Sequence, residues 1–359
     1  MRILKNVVLT AIVVLVFGCT SNTKVSSTDS AGDESIDIHG AGATFPYPLY
    51  SKWMDEYHKI DPRVRINYQS IGSGGGIRQI TERTVDFGAT DAAMKESELA
   101  KLAKPIFHLP MTLGAVVVTY NLPGIKSLKL TPELIAGIFL GEITKWNDKR
   151  IITVNQDIAL PDQAIAVVSR SDGSGTTAVF TQYLAKISQT WKEKVGEGKS
   201  VKFPVGLGAK GNEGVAGQVK TSPGNIGYVE LAYAIQTGLP YATIKNKAGS
   251  FVQPTLESIT AAAAGSGDAT QLPEDLRMSI VDAEGKDAYP IAAFTYILVY
   301  EEQAAAVKGK ALVQFLWWAI HEGQKLAPPL HYAPLPQAVV TKVETKLKSL
   351  HDTAGKSLL

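Results

Sequence analysis

The chain has 359 residues, 45% of them hydrophobic, enough for two cores of ordinary domain size and too many for a disordered or fibrous chain. Lys and Arg number 36 against 34 Asp and Glu, and the first eighteen residues hold two of the bases and no acid, which leaves 34 of each beyond them. A balanced charge without a basic stripe excludes nucleic acid as a partner, so any anion affinity must come from local, desolvated hydrogen bonds.

Residues 1–18 read as an export signal. Arg2 and Lys5 precede an apolar stretch from Val7 to Phe17 that is too short to span a bilayer. Val16-Phe17-Gly18-Cys19 resembles a bacterial lipobox, with Cys19 as the acylated residue, although Phe17 is an unusual occupant and plain signal-peptide cleavage is the rival. The expectation is an exported protein, periplasmic or at the cell surface, held to the membrane by a lipid anchor. Cys19 is the only cysteine, so neither a disulfide nor a cysteine metal cluster can form. Residues 19–35, rich in Ser, Thr, Asp and Gly, read as a flexible tether.

The first chemistry-bearing segment is Gly40-Ala41-Gly42-Ala43-Thr44-Phe45-Pro46, before a helix expected from Leu49 to Lys59. A strand is expected over Val64–Ser70. After it comes Ile71-Gly72-Ser73-Gly74-Gly75-Gly76, then a helix over Ile77–Arg83. Each loop sets a hydroxyl and exposed N–H groups at a helix start, where an anion is favoured; Thr44 and Ser73 could equally be simple N-caps. The glycine run fails the nucleotide templates, because Ile77 replaces the third glycine of a dinucleotide fingerprint and no Walker lysine follows. Val85–Ala89 reads as a strand, running on to Asp91. An aspartate there is ordinarily solvated. Within an anion site it is hostile unless the ligand brings a proton, which phosphate does near neutral pH and sulfate does not.

Further strands are expected over Ala115–Tyr120, Ile165–Ser169 and Ile226–Val229, and helices over Thr131–Phe139, Thr177–Ser188 and Ala304–Gly323. Between the Ile165 strand and the Thr177 helix lies Arg170-Ser171-Asp172-Gly173-Ser174-Gly175-Thr176, a guanidinium, a carboxylate, hydroxyls and glycines at a helix N-terminus. That composition suits an oxyanion cradle, and it also suits a capped helix start. Ala261–Gly267 reads as a helix end and loop without chemistry. The apolar run Tyr289–Tyr300 reads as a buried strand, and Phe315, Trp317 and Trp318 as core. The six histidines show no metal-ligand spacing. Alternating strands and helices indicate an α/β fold with mostly parallel sheets.

The Gly40–Pro46, Ile71–Ser73, Val85–Asp91 and Arg170–Thr177 segments together resemble the phosphate-binding proteins of bacterial phosphate ABC transporters. Gly214–Gly217 and Pro223–Tyr228 extend the likeness, which runs from about Ile36 into the C-terminal region. The resemblance implies a type II periplasmic-binding fold, two α/β lobes joined by a hinge around a ligand cleft. Lobe I would comprise 36–113 and 289–359, and lobe II 114–288. It implies phosphate ligands at Thr44, Phe45, Ser73, Asp91, Arg170, Ser174, Gly175 and Thr176, with Asp172 orienting Arg170. Gly74 stands where some relatives carry a second serine. It also implies a monomeric receptor, not an enzyme, needing no cofactor or metal and delivering phosphate to transmembrane permease subunits. Another protonated tetrahedral oxyanion such as arsenate, a phosphoesterase using Ser174, and an adhesin or sensor are the competing readings.

Overall fold

The β-branched and aromatic runs pair into one curved eight-stranded sheet, whose strand order places the loops singled out above along a common edge. The computed structural model describes residues 35–265 and 273–359. The expected leader, Cys19, the tether up to 34, and Ser266-Gly267 of the loop after the alanine run lie outside these residues.

From the start, β1 (Ile36–Gly42), α1 (Tyr47–Ile60), β2 (Val64–Ser70), α2 (Ser73–Thr81), β3 (Phe87–Thr90) and α3 (Glu96–Leu99) alternate as expected of α/β units. Then come the long β4 (Ile106–Tyr120), a short β5 (Lys129–Leu130), α4 (Pro132–Leu140) and α5 (Lys149–Val154). The segment around Arg170 joins β6 (Ala166–Arg170) to α6 (Gly175–Ile187), with α7 (Gln189–Lys194) and β7 (Leu207–Ala209) after it. Next are α8 (Gly211–Thr221), β8 (Asn225–Glu230), α9 (Leu231–Thr237), β9 (Thr243–Lys245), β10 (Phe251–Val252) and α10 (Leu256–Gly265). The chain closes with β11 (Ala292–Tyr300), β12 (Glu302–Gln303), α11 (Ala306–Ile320), α12 (Gln337–Ser349) and β13 (His351–Asp352).

The large sheet runs β2-β1-β3-β11-β4-β8-β6-β7. β1 lies parallel to β2 and β3, and β6 parallel to β7 and β8. Antiparallel β11 and β4 separate these two parallel sets. β4 changes partner partway along: Ile106 to Ala115 pair with β11, and Val116 to Tyr120 pair with β8. Its first half was not anticipated, because Pro110 and His108 interrupt the apolar pattern. A bulge opposite Thr295/Tyr296 absorbs the irregularity beside the proline, which has no N–H to give to the ladder.

β1 was likewise unexpected, since Gly40 and Gly42 read as turn residues. Here they let strands approach. A Cβ on Gly40 would sit 2.1 Å from the Phe87 ring, and Gly42, at φ 145°, would meet the Ala89 carbonyl at the same distance. The run ending at Tyr300 is a central strand, with all nine residues of β11 buried. Phe315 is buried, while Trp317 and Trp318 are half-buried against the core; Trp318 packs at 5.5 Å from the Tyr57 ring. No helix among the described residues is long and apolar enough to cross a membrane.

Candidate functional site

Parallel strands leave their C-terminal ends facing the N-termini of the helices that follow, which gathers N–H donors at one edge of the sheet. β1 leads into α1, β2 into α2, β6 into α6 and β7 into α8 at this edge, with Asp91 just past the end of β3. The loops from the two parallel sets touch. The Gly74 N–H donates to the Gly173 carbonyl at 2.8 Å, and Asn212 reaches Thr44.

All the residues expected to bind the anion lie here. Thr44, Ser73, Asp91, Arg170, Ser174 and Thr176 are each buried, at 6% exposure or less. Neither Thr44 nor Ser73 caps a helix. Thr44 lies two residues before the N-cap of α1, and Ser73 is itself the first residue of α2. Ser174 does cap α6, its Oγ accepting the Thr177 N–H at 3.0 Å. A hydroxyl used that way still has its proton to give. The N–H groups of Phe45, Gly175 and Thr176 meet no acceptor among the described residues. The site is therefore rich in buried donors without partners, which folded interiors tolerate only where something else supplies acceptors.

Arg170 is held at three points. Its Nε and Nη2 donate to the two carboxylate oxygens of Asp172, at 2.7 and 2.6 Å, and Nη1 donates to Thr176 Oγ1 at 3.4 Å. A guanidinium has five N–H donors, so two remain for a ligand. Burial acts to raise the Asp172 carboxyl, but the Arg170 bonds and charge together with backbone N–H groups outweigh it, and the group is held below its ordinary range. The Gly211 N–H, at the start of α8, adds a further bond to Asp172 at 3.1 Å.

Asp91 is not the solvated turn residue that its position after a strand suggests. Thr295 Oγ1 donates to Oδ1 at 2.8 Å, and Ser73 Oγ lies 3.4 Å from Oδ2. Burial pushes its carboxyl up to about 7, against the lowering pull of the Thr295 hydroxyl, the Arg170 charge and the Ser73 hydroxyl. α6 docks directly on this group. A Cβ on Gly175 would lie 2.4 Å from both Asp91 Oδ2 and Ser73 Oγ. Gly175→Ala should leave α6 intact, since alanine favours helix, yet wedge the two sides of the cleft apart and weaken anion binding about 10- to 100-fold. Unchanged affinity in a calorimetric titration would contradict this packing.

Residues outside the expected set complete the shell. Asn212 bonds to both Thr44 and Thr176, and the Tyr233 and Tyr332 hydroxyls donate to the carbonyls of Thr44 and Phe45 at 2.5 and 2.7 Å. Glu230 sits beneath them. Its Oε2 lies 2.9 Å from the Tyr332 oxygen, whose own proton goes to the Phe45 carbonyl, and also accepts the Ala232 N–H at 2.9 Å, while Oε1 has no partner among the described residues, and burial pushes the carboxyl well up. Over the window between the ordinary carboxylate range and this raised folded value, the folded chain keeps a proton that the unfolded chain has lost, so rising pH costs stability. Glu230→Gln should remove that cost. The expected outcome is a thermal midpoint a few degrees higher near pH 8 and little changed near pH 4, by scanning calorimetry; a midpoint lowered near pH 8 would mean the carboxyl is charged in place.

A cavity of about 320 Å³ borders Asp91 and is lined further by Gln182, Lys199, Arg277 and Phe294. Two of the cations that line it are engaged, Lys199 with Glu98 at 2.9 Å and Arg277 with Glu96 and Asp275, each at 2.7 Å. Among the described residues no cluster of three or more His, Cys, Asp or Glu is placed to hold a metal.

The profile of the PBP superfamily domain matches residues 24–321. A phosphate-binding protein PstS from Xylella fastidiosa is 48% identical over 313 residues, covering 87% of this chain and 85% of the relative. The phosphate-binding protein PstS of Methanocaldococcus jannaschii is 43% identical over 344 residues, covering 90% and 87%. Among solved structures, a phosphate-binding protein from Stenotrophomonas maltophilia superposes with a TM-score of 0.67 at 19% identity, covering 86% of this chain and 93% of the other, a likeness of fold.

Proposed function

This chain belongs to the PstS phosphate-binding proteins of the PBP superfamily, with their type II periplasmic-binding fold, and we propose that it binds one inorganic phosphate at the Asp91–Arg170 cleft. It is a receptor for a phosphate ABC transporter and not an enzyme. The observation that carries the reading is the pairing of buried, unpartnered donors with the buried carboxyl of Asp91 at the same cleft. A tetrahedral ion that accepts at most of its lone pairs and donates one proton satisfies both. Thr44, Phe45, Ser73, Ser174, Gly175 and Thr176 donate to the phosphate oxygens. Arg170, aimed by Asp172, gives the two remaining guanidinium donors, and Asp91 takes the phosphate proton. Each charge-assisted bond contributes roughly 1.5–3 kcal/mol, so affinity needs no strong global field.

The lobes are assigned to 36–113 with 289–359, and to 114–288. The change of partner along β4 near Ala115 supports this division, as does the return of β11 to the first set of strands. Closure about β4 brings the Gly74 and Gly173 loops together, expels water and strengthens the bonds to the anion; opening releases it. The Val16–Cys19 segment supports an N-terminal lipid anchor outside the cytoplasmic membrane, from which a monomeric receptor hands phosphate to the permease subunits. Among the described residues no general base is hydrogen-bonded to the Ser174 hydroxyl, which disfavours the phosphoesterase reading. Calorimetric titration with phosphate tests the proposal: one site per chain is expected, and no heat together with no thermal shift at micromolar protein would sink it.

A further inference from the structure

Asn212, the second residue of α8, is completely buried and touches both sides of the cleft. Its Oδ1 lies 3.0 Å from the Glu230 N–H, a group that can only donate, which fixes the amide orientation. Nδ2 therefore faces two hydroxyls, Thr44 Oγ1 at 2.8 Å and Thr176 Oγ1 at 3.1 Å. Each hydroxyl has a second donor aimed at it. The Asn212 N–H reaches Thr44 Oγ1 at 3.3 Å, and Arg170 Nη1 reaches Thr176 Oγ1 at 3.4 Å. A hydroxyl oxygen offers two lone pairs and one proton. Both oxygens are thus filled as acceptors, and neither proton meets an acceptor among the described residues.

We propose that Asn212 is a positioning residue that locks the hydroxyls of Thr44 and Thr176 as donors toward the bound anion. By occupying their lone pairs from both sides of the cleft, it leaves each with one useful orientation, proton toward the ligand. The ordering is done before the anion arrives, so binding does not have to supply it. Because Nδ2 reaches both hydroxyls only when Thr44 and Thr176 are close together, the same amide favours the closed cleft. This rests on the reading of the cleft as the phosphate site.

The test compares Asn212→Ala in the unaltered chain and in a Thr44→Val/Thr176→Val background. Phosphate affinity is measured by calorimetry and folding by the thermal midpoint without phosphate. In the unaltered chain the substitution should weaken binding about tenfold or more. In the double-valine background it should cost less than about threefold, because the hydroxyls through which it acts are gone. Equal losses in the two backgrounds would overturn the proposal and mark Asn212 as packing alone. Unchanged affinity in Asn212→Ala, with the unaltered chain binding phosphate, would overturn it as well. An unaltered chain that fails to bind phosphate defeats the phosphate reading, and the proposal with it. Should Asn212→Ala not fold, Asn212→Asp keeps the Glu230 contact but turns the Nδ2 position into an acceptor that draws both hydroxyl protons away. Its loss relative to the unaltered chain should be large near pH 8 and shrink near pH 5, where the new carboxyl regains a proton; a loss independent of pH overturns the proposal.

Discussion

Replacing Arg170 with methionine is expected to weaken phosphate binding by about two to four orders of magnitude. The side chain is 1% exposed and forms a two-pronged pair with Asp172, itself 13% exposed. Removing one member of a buried pair costs about 3–5 kcal/mol, because the other charge stays behind without compensation. In this site the stranded Asp172 would also face the incoming anion. The combination Arg170→Met/Asp172→Asn should therefore bind phosphate better than Arg170→Met alone, although it carries two changes instead of one. Calorimetric titration of the two variants decides it. Equal affinities would show that Asp172 does no more than orient the arginine, and an affinity for Arg170→Met within tenfold of the unaltered chain would remove Arg170 from the ligand set.

Sulfate should bind only when Asp91 carries a proton, and Asp91→Asn should abolish that requirement. Phosphate brings a hydrogen for the carboxylate to accept. Sulfate near neutral pH brings none, so its oxygen would lie against a charged oxygen with nothing between. Burial pushes the Asp91 carboxyl up to about 7, so the neutral form is accessible below that value and increasingly scarce above it. Sulfate affinity should accordingly fall about tenfold for each pH unit above 7 and level off below it. Asn offers an N–H in every protonation state. Asp91→Asn should flatten the sulfate profile and raise sulfate affinity by about tenfold or more near pH 8, narrowing the preference for phosphate. A variant that still excluded sulfate as the parent does would show that selectivity resides in the shape or donor placement of the cleft.

Much of this site was legible because its parts are local. The Arg170–Thr177 segment carries its own guanidinium, carboxylate, cap and helix start within a few residues, and short-range geometry brings them together whatever the rest of the chain does. Asp91 was legible as a candidate but not in its environment. Its burial depends on Thr295, 204 residues away in the chain, and on the docking of Gly175. Asn212 left no mark of its own, since an asparagine early in a helix is unremarkable until the strand order places Thr44 and Thr176 around it. The tyrosines at 233 and 332 stand out in no sequence motif, and only the fold turns their hydroxyls toward the Thr44 and Phe45 carbonyls. Among the strands, the run ending at Tyr300 was recognisable because burial on both faces demands an unbroken apolar segment. β1 and the first half of β4 were not, because glycine and proline signal turns in isolation. Their strand roles rest on close packing and on a bulge, features that exist only once the neighbouring strands are in place.

The most direct measurement is a crystal structure of the protein grown with phosphate. One tetrahedral ion is expected within hydrogen-bond distance of Asp91 and Arg170 together, with Thr44, Phe45, Ser73, Ser174, Gly175 and Thr176 supplying its remaining contacts. A phosphate held instead in the neighbouring cavity beside Lys199 and Arg277, with Asp91 and Arg170 not both in contact, would contradict the account.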